Sequence, residues 1–138
     1  MTARYLIDKS ALARMSTASV KARLAPIIEA GEAATCGIID LEVLYSARNA
    51  QDHESIRRRR SLAYTWVPMT DADFTRAMDV QGQLALSGHH RLPIPDLLVA
   101  AVAERAGLTV IHYDRDFDTI AETTGQAVEW VVPRGSLK

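Results

Sequence analysis

Asp8, Glu42, Asp96, Asp114 and Asp116 are the residues of this sequence whose types and positions suit chemistry. Each falls at the end of an apolar, strand-like stretch or in the first turns of a helix-like one. Taken singly, each has an ordinary explanation. Asp8 suits a loop ahead of a helix, Asp96 the positive end of the helix that follows it, and Asp114 and Asp116 a turn. Glu42 suits the solvated side of an amphipathic helix, with Asp40 as an alternative to it. Gathered at one sheet edge they would repel, because like charges about 4 Å apart cost roughly 4 kcal/mol at an effective dielectric near 20. A hard divalent cation removes that cost. Mg²⁺ and Mn²⁺ favour oxygen ligands, so carboxylates without histidine or cysteine suit them better than zinc. Such a site activates a water and stabilises charge on a phosphoryl group, which points to phosphodiester hydrolysis.

Only a parallel sheet would bring such scattered carboxylates together, and the chain carries its pattern. Tyr5-Leu6-Ile7 reads as a strand that stops at Asp8, after which Ser10 is placed to cap a helix beginning at Ala11. Val20, Leu24, Ile27 and Ile28 share a helical face ending at Gly31, and residues 33–36 form the next strand. Helices are expected over 38–47, with Leu41, Leu44 and Tyr45 on one side, and over the arginine-rich 51–63. Trp66-Val67-Pro68-Met69 reads as an edge strand because of its proline. Asp71 or Asp73 opens a helix to about Leu86, and Leu97–Arg105 is apolar on nearly all sides, as a central helix must be. Strands at 109–112 and 129–132 complete the pattern. The fold expected is α/β, with helices on both faces of a mostly parallel sheet and a ligand site beyond the strands' carboxyl ends. Residues 1–138 make one domain.

Composition narrows the function. A net charge of −1 excludes nucleic-acid binding through the overall field, leaving a local patch such as Arg48 with Arg57–Arg60. A solvated helix face is the competing reading of those arginines. The longest apolar run, 97–103, is too short to span a bilayer, and Asp8 interrupts any leader-like stretch, so a cytoplasmic protein without membrane contact is expected. Cys36 is the single cysteine and reads as a small buried thiol. His53, His89, His90 and His112 show no metal-ligand spacing and suit loops or the surface. Phosphate-binding glycine loops are absent. For Trp66 and Trp130, core packing outweighs base stacking.

The motifs also carry a family resemblance. Leu6-Ile7-Asp8-Lys9-Ser10, Leu41-Glu42-Val43-Leu44-Tyr45, Ile94-Pro95-Asp96-Leu97-Leu98 and His112-Tyr113-Asp114-Arg115-Asp116-Phe117 resemble, in order, the four motifs of PIN domains. The resemblance spans nearly the whole chain and is nearest to VapC toxins. It implies a three-layer α/β/α fold with a twisted sheet of about four to five strands. It also implies a Mg²⁺-dependent endoribonuclease whose acidic quartet is Asp8, Glu42, Asp96 and Asp114, with Asp116 as accessory carboxylate. Ser10 would orient Asp8 or a water, and Lys9 departs from the small or hydroxyl residue usual in its slot. RNA as substrate, a homodimer and a cognate antitoxin follow from the same resemblance. The antitoxin would lie along helices near 11–29 and 41–47 and insert a basic side chain among the acids. A receiver-like switch, a haloacid-type phosphatase and a non-catalytic module of the same fold are the alternatives. The first two lack their paired acids here, since Ser10 stands where the phosphatases need Asp.

Overall fold

The computed structural model describes residues 2–137. Strands β1 (Tyr5–Ile7), β2 (Ala33–Thr35), β3 (Thr65–Trp66), β4 (Thr109–His112) and β5 (Val128–Trp130) form one sheet in the order β3-β2-β1-β4-β5. Every neighbouring pair is parallel, with Leu6 in register with both Ala34 and Val110. Between them run α1 (Lys9–Leu12), α2 (Ala18–Glu29), α3 (Gly37–Tyr45), α4 (Ala50–Ala63), α5 (Asp71–Ala85), α6 (Ile94–Ala106) and α7 (Asp116–Thr124).

Strand alternation explains the two helical layers, because successive side chains leave a sheet on opposite faces. Leu6, Ala34 and Val110 pack with α3, α5, α6 and α7, whereas Ile7, Ala33 and Ile111 pack with α1 and α2. Helix α6 is buried from Asp96 through Ala103 and ends at Gly107, whose positive φ of 69° closes the helix in the left-handed conformation. This is the central helix its composition requires.

The strand order reverses between β1 and β4, since β1 is followed in the sheet by β2 on one side and β4 on the other. Crevices at such a reversal are where open parallel sheets bind ligands. Asp8 follows β1 and Asp114 lies two residues after β4, so both stand at this point.

Some local expectations are corrected. Asp8, not Ser10, caps α1, which begins at Lys9. Helix α6 starts at Ile94, earlier than expected, because Pro93 caps it and Pro95 occupies the first turn, where no N–H is needed. Helix α7 was not anticipated as an element, and β3 holds only two paired residues. Trp66 is 55% exposed on the edge strand, so it is no core residue. His112 is the opposite case, fully buried between Phe117 and Trp130 instead of lying in a loop or at the surface.

Candidate active site

The site is assembled from the ends of β1 and β4, the middle of α3 and the first turn of α6. Asp8 is 3% exposed and caps α1, with Oδ2 accepting the Ser10 N–H at 2.9 Å. Its own N–H donates to the Ile111 carbonyl at 2.9 Å, which ties the β1 end to β4. The Ser10 hydroxyl oxygen accepts the N–H of Tyr113 at 2.9 Å, so one serine links Asp8 to the loop carrying Asp114. On that loop the Asp114 N–H donates to His112 Nδ1 at 3.1 Å, and Asp114 Oδ1 accepts the Asp116 N–H at 2.9 Å.

Asp96, 7% exposed, sits in the first turn of α6 and faces this loop. One carboxylate oxygen from each of Asp96, Asp114 and Asp116 lies within 4.8 Å of the others. Burial, reinforced by the negative charges of Asp8, Asp114, Asp116 and Glu42, pushes the Asp96 carboxyl up to about 8. Burial likewise raises Asp8 against its Ser10 hydrogen bonds, with Asp114 adding to the rise. Glu42 is raised by burial and by Asp8, while Lys9 opposes the shift. Asp116 is raised by burial and by Asp114.

Of the two carboxylates on α3 that competed from sequence, Glu42 is the one that feels Asp8. Asp40 turns elsewhere: its Oδ1 accepts the Thr35 hydroxyl at 2.7 Å and Arg60 Nε at 3.0 Å. Lys9 is exposed and lines a surface groove with Leu41, Glu42 and Tyr45. The arginines of α4 also divide, since Arg57, Arg58 and Arg59 are exposed while Arg60 is buried against the Tyr64 ring, 4.4 Å from its centroid.

Sequence reasoning missed His112. Its Nδ1 accepts a hydrogen bond, so the neutral ring carries its proton on Nε2, and burial lowers its pKa despite Asp118 and Asp114. A histidine closing an otherwise apolar buried strand, two residues before a motif acid, was the available signal.

Asp8 Oδ1 and Asp96 Oδ2 are buried without a hydrogen-bond partner among the described residues. Orphaned carboxylate oxygens in an all-oxygen donor set fit a hard divalent cation, which would satisfy them and offset the mutual repulsion. A parallel α/β sheet with such a set at its switch point has the arrangement of a metal-assisted phosphodiesterase.

The comparisons with known proteins agree with that class. Residues 5–123 match the PIN domain family. Ribonuclease VapC21 of Mycobacterium tuberculosis is 47% identical over 137 residues, covering 99% of each chain. Ribonuclease VapC51 of the same species is 42% identical, again over 99% of each. The structure of VapBC-1 from nontypeable Haemophilus influenzae superposes with a TM-score of 0.76 at 12% identity, over 95% of this chain and 98% of the other. This chain belongs to the PIN domain family and, within it, to the VapC ribonucleases. That membership displaces the receiver-like and phosphatase-like alternatives.

Proposed function

We propose that the protein is an endoribonuclease that hydrolyses RNA phosphodiester bonds as the toxin of a toxin–antitoxin pair. The observation that carries this reading is Asp96, a buried carboxyl clustered within 4.8 Å of Asp114 and Asp116 oxygens and with one oxygen unpartnered. The names of the mycobacterial relatives support ribonuclease activity. VapBC complexes among the structural neighbours support an antitoxin partner.

Asp8, Glu42, Asp96, Asp114 and Asp116 would hold Mg²⁺, or Mn²⁺ in its place. Such an ion supplies charge neutralisation at the phosphoryl group and makes a water acidic enough to attack it. The chain's own groups set the geometry. Ser10 holds Asp8 through its N–H and the Asp114 loop through its hydroxyl. Glu42 is less buried than Asp8 or Asp96 and lines the groove shared with Lys9.

Two apolar surfaces suit the protein partners. A groove lined by Leu12, Met15, Ile28, Val43 and Ile56 runs between α1, α2, α3 and α4, and it would seat an antitoxin helix. On the α5 and α6 face, Phe74, Met78 and Ile94 are exposed around a shallow pocket floored by Leu97 and Leu98, as a homodimer contact would be. No helix among the described residues is long and apolar enough to cross a membrane, and cytoplasmic RNA is the substrate this reading supposes.

The test is RNA cleavage by purified protein with Mg²⁺, with Mn²⁺ and with chelator, comparing wild type with folded Asp8→Asn and Asp96→Asn. Cutting that needs the cation and disappears in both variants is expected. Folded wild type that cuts nothing across a broad RNA panel would overturn the reading.

A further inference from the structure

We propose that the cavity enclosed by α3, α4 and β3 is a nucleoside subsite, seating one unstacked RNA base next to the phosphate that is cleaved. The proposal rests on the ribonuclease reading of the acidic site and adds a second place where the substrate is held.

The cavity has a volume of about 610 Å³ and its walls include Leu41, Leu44, Asp40, Arg57, Arg60 and Trp66. That volume lies within the range of sites that enclose small organic ligands. Thr35 at the end of β2 and Gly37 at the start of α3 also line it, so it opens at the carboxyl edge of the sheet, the edge that carries the acids. Leu41 is shared between this cavity and the groove of Lys9, Glu42 and Tyr45. An RNA strand with its phosphate near Glu42 therefore reaches the cavity by passing over one side chain.

The chemistry of the walls is that of base recognition. Trp66 is more than half exposed, and its ring edge lies over the start of α3, where a Cβ at Gly37 would stand 3.8 Å from indole Cη2. An exposed indole offers a stacking surface to any base. Arg60 and Asp40 are held rigid by each other at 3.0 Å, by Thr35 and by the Tyr64 ring, so donors and an acceptor are preorganised at the wall. Arg57 is exposed at the rim and, among the described residues, enters no ion pair, which suits it to a phosphate. Arg48, by contrast, is engaged by Asp52.

This local arrangement also reconciles RNA binding with a net charge of −1, since no overall positive field is needed. A peptide helix has a better seat in the apolar groove on the α1–α2 side of α4, where Leu12, Met15 and Ile28 contribute.

The experiment has two arms. Trp130→Phe leaves Trp66 as the single indole, since the chain has two tryptophans. Its fluorescence is titrated with the 5′-monophosphates of adenosine, guanosine, cytidine and uridine, without added metal. Saturable quenching by at least one of the four is expected, weakened by Arg57→Ala. In the second arm, Trp66→Ala, verified as folded by its melting curve, cleaves RNA with KM raised about tenfold, a loss typical of one stacked base. Arg57→Ala, which touches only the rim, is the second variant and raises KM in the same direction.

Absence of quenching by all four nucleotides, or unchanged KM in Trp66→Ala while wild type cuts normally, would overturn the subsite and leave the nuclease reading intact. Quenching by an antitoxin peptide and by no nucleotide would assign the cavity to the protein partner and also overturn it. If wild type cuts no RNA at all, the nuclease reading fails by itself, and the titration still decides whether nucleosides bind here.

Discussion

His112 Nδ1 accepts the backbone N–H of Asp114 at 3.1 Å, so a ring inside the core sets the loop that presents a half-buried carboxylate. The ring is clamped between Phe117 and Trp130, with centroids 5.1 and 4.9 Å away, and Nε2 lies 3.9 Å from Asp118. Groups that orient metal-binding side chains typically matter by 10–100-fold in affinity or rate. His112→Phe keeps the packing and removes the acceptor, so the Mg²⁺ concentration for half-maximal cleavage should rise by about tenfold or more with the melting temperature little changed. His112→Asn offers an acceptor at the Nδ1 position and should recover much of the loss. Equal behaviour of the two variants would show that the hydrogen bond does not set the loop.

Asp96 ties the stability of the metal-free protein to pH. Its folded carboxyl is pushed up to about 8, mainly by burial and then by Asp8, Asp114, Asp116 and Glu42. The unfolded group ionises near 4. Between those values the unfolded state has given up a proton that the folded state keeps, so stability falls as pH rises through this window and the full penalty is present above it. Metal-free wild type should therefore melt several degrees lower at pH 8 than at pH 5, and Asp96→Asn should flatten that dependence and raise the melting temperature at pH 8. Saturating Mg²⁺ should stabilise wild type most at the alkaline end, where no proton has to be displaced. Thermal denaturation across pH, with and without the ion, measures all three.

Glu42 and Asp40 lie two residues apart on α3 and should fail in different ways. Glu42 feels Asp8, while Asp40 is bonded to Thr35 and the buried Arg60. Glu42→Gln should reduce cleavage by at least a hundredfold while leaving the urea midpoint within error. Asp40→Ala strands the Arg60 charge against β2, and breaking such a buried pair typically costs about 3–5 kcal/mol. Its urea midpoint should fall sharply, with divalent-cation binding retained in the protein that stays folded. Isothermal titration and urea melts of both variants separate the two effects.

These residues also show what was legible in the sequence. The parallel alternation and the order of the acids could be read because the apolar run Leu6-Ile7 ends directly at Asp8 and Val110-Ile111 is followed three residues after Ile111 by Asp114. Helix α7 could not, because only Phe117 and Ile120 of its nine residues are buried, amid Asp and Thr residues that favour turns as readily as helix. Trp66 and His112 exchanged their expected environments for a tertiary reason. Pairing at a two-residue sheet edge leaves one face of an indole open, whereas β4 lies between β1 and β5, so its last side chain is covered whatever its polarity. Pattern alone left Asp40 as an alternative to Glu42, and only the motif resemblance chose between them, because their separation in space depends on Arg60, twenty residues beyond Asp40.

The exposed side chains of α5 and α6 give the remaining prediction. Met78 is 61% and Ile94 65% exposed, and with Phe74 they frame a hollow of about 180 Å³ over Leu97 and Leu98. Water against such a surface is unfavourable by roughly 25 cal/mol for each Å² of apolar area, a cost that self-association removes from both copies at once. Isologous contact of this face with itself would pair each Met78 with the partner's hollow, as two-fold symmetry demands. A charge introduced there is buried twice in the dimer and not at all in the monomer. For the homodimer proposed above, Met78→Asp should therefore shift the protein to monomer in light scattering behind size exclusion, at micromolar concentration and without loss of helical signal. Leu62→Asp, on the exposed side of α4, should leave the dimer in place. A wild type that is monomeric at the same concentration would remove this face as the dimer contact.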